Sequence, residues 1–161
     1  MLAEPGVEDV AQVLGISPTD IVLHMHPPTT DSLGFEFTIT EVHDRATLSA
    51  ATPDIDALRR FAKIYPQAAG FVAQFAYTFS EGDIHARMFA PLGNITEDAA
   101  AGSAAGSAAA TLGALLVKCT SAPQEFAICQ GDDMGRPSRI EVSAEAAQVT
   151  IGDSAVAVMQ G

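Results

Sequence analysis

Apolar residues recur along this chain in two rhythms, one helical and one of period two. Val7, Val10, Ala11 and Leu14 fall at i, i+3, i+4 and i+7 with Gly15 behind them, which predicts a short amphipathic helix. Residues 16–32, with Pro18, Pro27 and Pro28, read mostly as loop around a short apolar run at 21–23. Phe35, Phe37 and Ile39 alternate with Glu36 and Thr38, the pattern of a half-buried strand, and a further short strand is predicted at 46–50. Thr52-Pro53-Asp54 reads as an N-cap, a proline at the first helical position and an acid in the first turn. Ile55, Leu58, Phe61, Ala62 and Tyr65 then form one helix face, which Pro66 ends. Period two resumes with Phe71, Phe75, Tyr77 and Phe79 on one side and Val72, Gln74 and Thr78 on the other, followed by a strand at 84–90.

Residues 99–117 carry no charge at all and read as a helix, with Gly102, Gly106 and Gly113 as positions of close approach. Four short strands are predicted after it, near 125–130, 138–143, 147–151 and 155–159, the last two joined by a Gly152-Asp153 hairpin turn. A helix with no polar face must be covered on every side. Strands flank this one in sequence before and after, so a sheet curled around it satisfies the requirement. The fold class is α+β: a partial barrel of mixed sheet around a central Ala/Gly-rich helix. With 161 residues and neither repeat nor linker, residues 1–161 read as one domain.

Composition narrows the partners. Twenty acidic against 8 basic side chains give a net charge of -12. No basic stripe exists to displace counterions from a phosphate backbone, so nucleic acid is excluded, and an anionic membrane surface with it. No secretory pattern opens the chain and two cysteines make no disulfide framework, so a cytoplasmic location is expected.

The stretch with chemical content is Asp83-Ile84-His85-Ala86-Arg87-Met88-Phe89-Ala90-Pro91, then Glu97-Asp98-Ala99-Ala100-Ala101-Gly102-Ser103-Ala104-Ala105-Gly106. A strand ends and a buried helix begins. The first N–H groups of a helix lack internal partners and sit at its positive pole. Gly102 clears the approach and Ser103 adds a hydroxyl, which together suit a substrate carboxylate. Asp98, about one turn earlier, is placed to hold an amine or accept a proton. From position alone, the ordinary role of such acids is helix capping. No Gly-Lys-Ser/Thr follows, so this is not a phosphate loop. The Gly102-to-Gly106 spacing resembles a membrane-helix dimer motif, but the run is Ala-rich and lies among soluble amphipathic segments.

"DIHARMFAP" followed by "EDAAAGSAAG" resembles the DVHARMFAP…EDPATGSAAG signature of the PhzF-like (phenazine-biosynthesis-like) isomerase family. "QGDDMGRPSRIEV" at 130–142 is similar to that family's QG…MGRPS segment, and the ending resembles its C-terminal hairpin. The resemblance covers essentially this whole chain and only the C-terminal half of the family's. It implies a diaminopimelate-epimerase-like fold of two pseudo-symmetric halves with the active site between them. The implied chemistry is proton transfer at carbon, without a cofactor or metal, on a small carboxylate-bearing molecule. Asp98 and Ser103 match the family's site residues, and Gly102 matches the glycine whose N–H binds substrate. His85 follows the pattern beside them and is carried as a further substrate-binding residue. Two positions depart: the family's Pro and Thr are Ala99 and Ala101 here. The family's principal acid/base glutamate belongs to the N-terminal half, so a partner is expected, either a separate half or a second copy of this chain. The alternative is a non-catalytic anion-binding or interaction module, or a truncated remnant.

Other conspicuous residues receive structural readings. His24-Met25-His26 lacks further ligands at recognisable spacing and reads as loop or strand edge. His43 with Asp44 and Arg45 reads as a turn, Asp132 and Asp133 as a solvated turn, and Arg136 as an anchor. Cys119 lies about 30 Å along the helix from its start, and it and Cys129 read as small packed residues.

Overall fold

The charge-free run forms the axis of the molecule. The computed structural model describes residues 2–32, 34–67, 70, 72–80, 82–120, 124–145 and 148–153, and within these the side chains of all but 114–120, 148, 149 and 153. In chain order the elements are α1 (Val7–Leu14), β1 (Thr29–Ser32), β2 (Glu36–Glu41), α2 (Arg45–Ala50), α3 (Ile55–Ile64), β3 (Ala73–Ser80), β4 (Asp83–Ala90), β5 (Ile95–Asp98), α4 (Gly102–Thr120), β6 (Gln124–Gln130), β7 (Ser138–Glu145) and β8 (Gln148–Asp153). The strands form one mixed sheet in the order β1-β2-β3-β4-β6-β7-β8, with β5 also paired to β4. The β2–β3 and β4–β6 pairs are parallel. None of the helices is long and apolar enough to cross a membrane, among the described residues.

The sheet curls around α4 as the sequence led us to expect. Ala101, Ala104, Ala105, Ala108, Ala109 and Leu112 pack against Phe37, Ile39, Phe75, Tyr77, Met88 and Ile128 in one buried cluster. Small residues on the helix face large ones on the strands, which lets the layers interdigitate at interior density. Gly102 departs from the expected close approach, because a Cβ there would meet nothing within 4 Å.

A second core lies outside the sheet. Val10, Val13, Leu14, Leu48, Leu58 and Phe61 of α1, α2 and α3 pack with Val72, Ala76 and Phe89 on the sheet's other face. This layer corrects the reading of β2 as half-buried. Phe37, Thr38, Ile39 and Thr40 are all buried, because both faces are covered.

Three further expectations are corrected. Residues 45–50 form a helix, not a strand, because the Asp44 carboxylate accepts the Thr47 N–H at 2.8 Å and starts the turn. The α3 cap is Asp54, which accepts the Ala57 N–H at 2.8 Å, so helix and cap begin two residues later than Thr52. Gly152-Asp153 is not a hairpin turn: these residues pair with Glu141 and Ile140 inside β8. The β7–β8 connection lies where the strands expected at 138–143 and 147–151 leave it, with Glu145↔Gln148 the last pair. Phe71 and the strand expected at 155–159 lie outside the described residues.

Candidate active site

β4 alternates strictly, and that alternation builds the site. Ile84, Ala86 and Met88 point inward toward α4, while His85 and Arg87 point outward. β5 pairs with β4 through Met88↔Asp98 and Ala90↔Ile95, and the register shifts between these pairs. One residue of β4, Phe89, thus lies opposite two of β5, Thr96 and Glu97, a bulge that turns both Ile95 and Asp98 to the inner side. The chain then enters α4 through a turn in which Asp98 Oδ1 accepts the Ala100 N–H at 3.0 Å.

Asp98 and Ser103 come together in a pocket of about 160 Å3 whose other walls include Phe35, Phe37, Met88 and Ile95, with Glu36 as a second carboxylate. Gly102 opens on the neighbouring hollow, lined by Ala100, Ile140 and Ile151. The first helical bond of α4 runs from the Ala105 N–H to the Ala101 carbonyl, so the amides of 102–104 have no acceptor within the helix. Ala101 donates its N–H to the buried Gln130 Oε1 at 3.1 Å, and Gly102 donates to the Ala100 carbonyl at 2.9 Å. The Gly102 N–H expected to meet substrate is therefore occupied by the Ala100 carbonyl.

His85 stands elsewhere. Its ring is on the outer face of β4, with Nδ1 3.6 Å from Asp132 Oδ2, so the structure does not bring it to the Asp98 and Ser103 pocket. Glu97 also turns away from its neighbour. Arg87 Nε and Nη2 donate to its two carboxylate oxygens at 2.8 Å each. Those hydrogen bonds hold the guanidinium firmly in its charged form. Arg87 Nη1 meanwhile donates to the carbonyls of Leu48, Ser49 and Ala51 at 3.0, 3.0 and 2.9 Å, closing the end of α2.

The turn at 132–134 is solvent-exposed, as expected, and it also bonds its neighbours. Asp132 pairs with Arg45 at 3.2 Å, and Asp133 accepts from Ser49 Oγ at 2.9 Å. Gly131 adopts φ +77°, and a Cβ there would stand 2.1 Å from the Arg136 carbonyl and 3.0 Å from that of Ala99. Ser138 Oγ donates to the Ala99 carbonyl at 2.7 Å. The 130–138 segment thus cradles the residues leading into α4.

Sequence reasoning did not single out Arg87, Gln130, Glu36 or Met88. The signal for Arg87 and Met88 was the alternation of β4, which assigns them to opposite faces once the inner face is known.

The chain matches the family model described as phenazine biosynthesis-like protein over residues 2–161. It is 30% identical to an uncharacterized isomerase of Clostridium acetobutylicum, over 95% of this chain and 52% of that one. Its structure resembles a predicted epimerase of Pseudomonas aeruginosa, with a TM-score of 0.64 and 27% identity over 98% of this chain and 55% of that one. It resembles likewise a Bacillus anthracis phenazine biosynthesis protein of the PhzF family, with a TM-score of 0.69 and 18% identity over 91% and 50%. The chain spans about half the length of the relatives it matches.

Proposed function

The chain belongs to the phenazine biosynthesis-like protein family, and from that membership we propose that it supplies one half of an isomerase or epimerase site. The reaction is proton transfer at carbon on a small carboxylate-bearing metabolite. Relatives named as an isomerase and as a predicted epimerase support the reaction class. The observation that carries the reading is the convergence of Asp98 and Ser103 in one apolar-walled pocket at the start of α4.

Each group has a task there. The Ser103 hydroxyl, at the positive pole of α4, receives the substrate carboxylate. The walls of Phe35, Phe37 and Met88 pack its carbon frame and exclude water. Asp98 holds the substrate amine or carries the proton at the reacting carbon. The other half of the site comes from a second module, a separate half or a second copy of this chain.

Solvent-deuterium incorporation into small carboxylates, measured by NMR with the protein and its partner half, tests this. Asp98→Asn is expected to slow incorporation by about 10²–10⁴-fold. Incorporation unaffected by that change would overturn the assignment. The Ser103 hydroxyl at the start of α4 serves equally a second reading, an anion-binding module without chemistry, for which no deuterium would enter with either protein.

A further inference from the structure

Glu97 and Asp98 are adjacent carboxylates that differ by one methylene, yet only Asp98 faces the pocket. β5 is four residues long and is held to β4 by two residue pairs with a bulge between them. A one-residue slip in such a strand exchanges its faces. It would bring Glu97 in and turn Asp98 out. Backbone pairing this short does not by itself fix which residue is the extra one.

The outer face holds what does. Arg87, one residue before Met88, grips Glu97 through both oxygens, and the two side chains are each only 12% exposed. Arg87 cannot follow a slip, because it is tied at the same time to the three α2 carbonyls and lies 3.6 Å from Asp133 Oδ2. Its guanidinium also sits 4.7 Å from the centre of the Phe89 ring. A planar fork gripping a carboxylate in two places sets direction as well as distance.

We propose that the Arg87–Glu97 pair is a register lock: by fixing Glu97 outside, it places the bulge of β5 so that Asp98 enters the pocket. Arg87 and Glu97 are positioning residues, and their role rests on the reading of Asp98 given above. The network they anchor joins α2, β4, β5 and the 132–134 turn, so the position of Asp98 is set from the layer outside the sheet.

The test is Glu97→Ala, which leaves the α2 carbonyls bonded to Arg87. Two NMR signatures report on Asp98 alone: its cross-strand nuclear Overhauser contact with Met88, and the shift of the Ala100 amide that it caps. Both are expected to be lost while the amides of Phe75 and Ala76 in β3 keep their positions. Retention of both signatures overturns the lock. Should the β3 signals collapse as well, Glu97→Gln decides: a weakened Met88–Asp98 contact supports the lock, and an unaltered one overturns it. Asp98→Asn separates this from the chemical reading. It keeps the Met88 contact in either case, so a fully active Asp98→Asn protein defeats the catalytic role and leaves the lock standing.

Discussion

Tyr77 shows what one buried phenol organises. Its hydroxyl lies 2.9 Å from His26 Nε2 and donates to Glu41 Oε2 at 3.3 Å, while His26 Nδ1 bonds the Pro27 carbonyl at 2.6 Å. His26 is therefore a tie between the 22–28 segment and the sheet. Burial pushes the Glu41 carboxyl up from its ordinary value, and the Tyr77 hydrogen bond pulls it partly back. A carboxyl raised in the folded state stabilises fully below its unfolded value and loses that contribution as pH rises through the folded one. Stability is thus expected to fall across the window just above the ordinary glutamate range, and Glu41→Gln should remove that fall in urea titrations against pH. Tyr77→Phe should move the fall to higher pH and cost about 1–3 kcal/mol, since it strips a buried partner from His26. Asp44 and Asp54 act in the opposite sense. The amide N–H groups they cap hold their carboxyls below the usual range, so their contributions fade as pH drops through those lowered values.

Elements differ in how much of themselves they wrote into the sequence. α1 and α4 were legible because periodicity and composition are local properties. α2 was not, since its stability comes from Asp44 at one end and from Arg87, 37 positions after Ala50, at the other. Gly152-Asp153 was misread as a turn because it carries a strong local turn signal that the pairing with β7 overrides. In the site, the signature residues Asp98 and Ser103 were legible. The split between Glu97 and Asp98 was not, because it depends on which face of β4 is inside. α4 is the element with least room. Ala108 is fully buried against the strands, so Ala108→Leu is expected to cost about 1–3 kcal/mol, read as a lower urea midpoint with an unchanged slope.

The described residues form a sheet covered on both faces, with an open mouth at the pocket of Asp98 and Ser103. Sequence patterning revealed the inner core, since a charge-free helix demands cover. It concealed the outer one, since Val72, Gln74 and Thr78 look like an ordinary polar-leaning face. At the mouth the walls remain apolar: Phe35 is 51% and Ile95 42% exposed beside the pocket, and Ile151 is 42% exposed beside Gly102. Exposed apolar surface of this kind marks an interaction site. We therefore expect the chain alone to self-associate, and light scattering over a concentration series should find a dimer. A monomer at every concentration would overturn the homodimer and leave a separately supplied half or the anion-binding module.

The smallness of the α4 side chains has a mechanical side. From Ala101 to Leu112 its core-facing residues are alanines ending in a single leucine, so the stripe that meets the strands is nearly smooth. Polar ties add to that packing: the Ala101 N–H donates to Gln130 at one end, and the Thr111 hydroxyl donates to Asp31 at 3.1 Å about 15 Å further along. The start of α4, where Ser103 lines the pocket, is thereby joined through the helix to the β1 edge of the sheet.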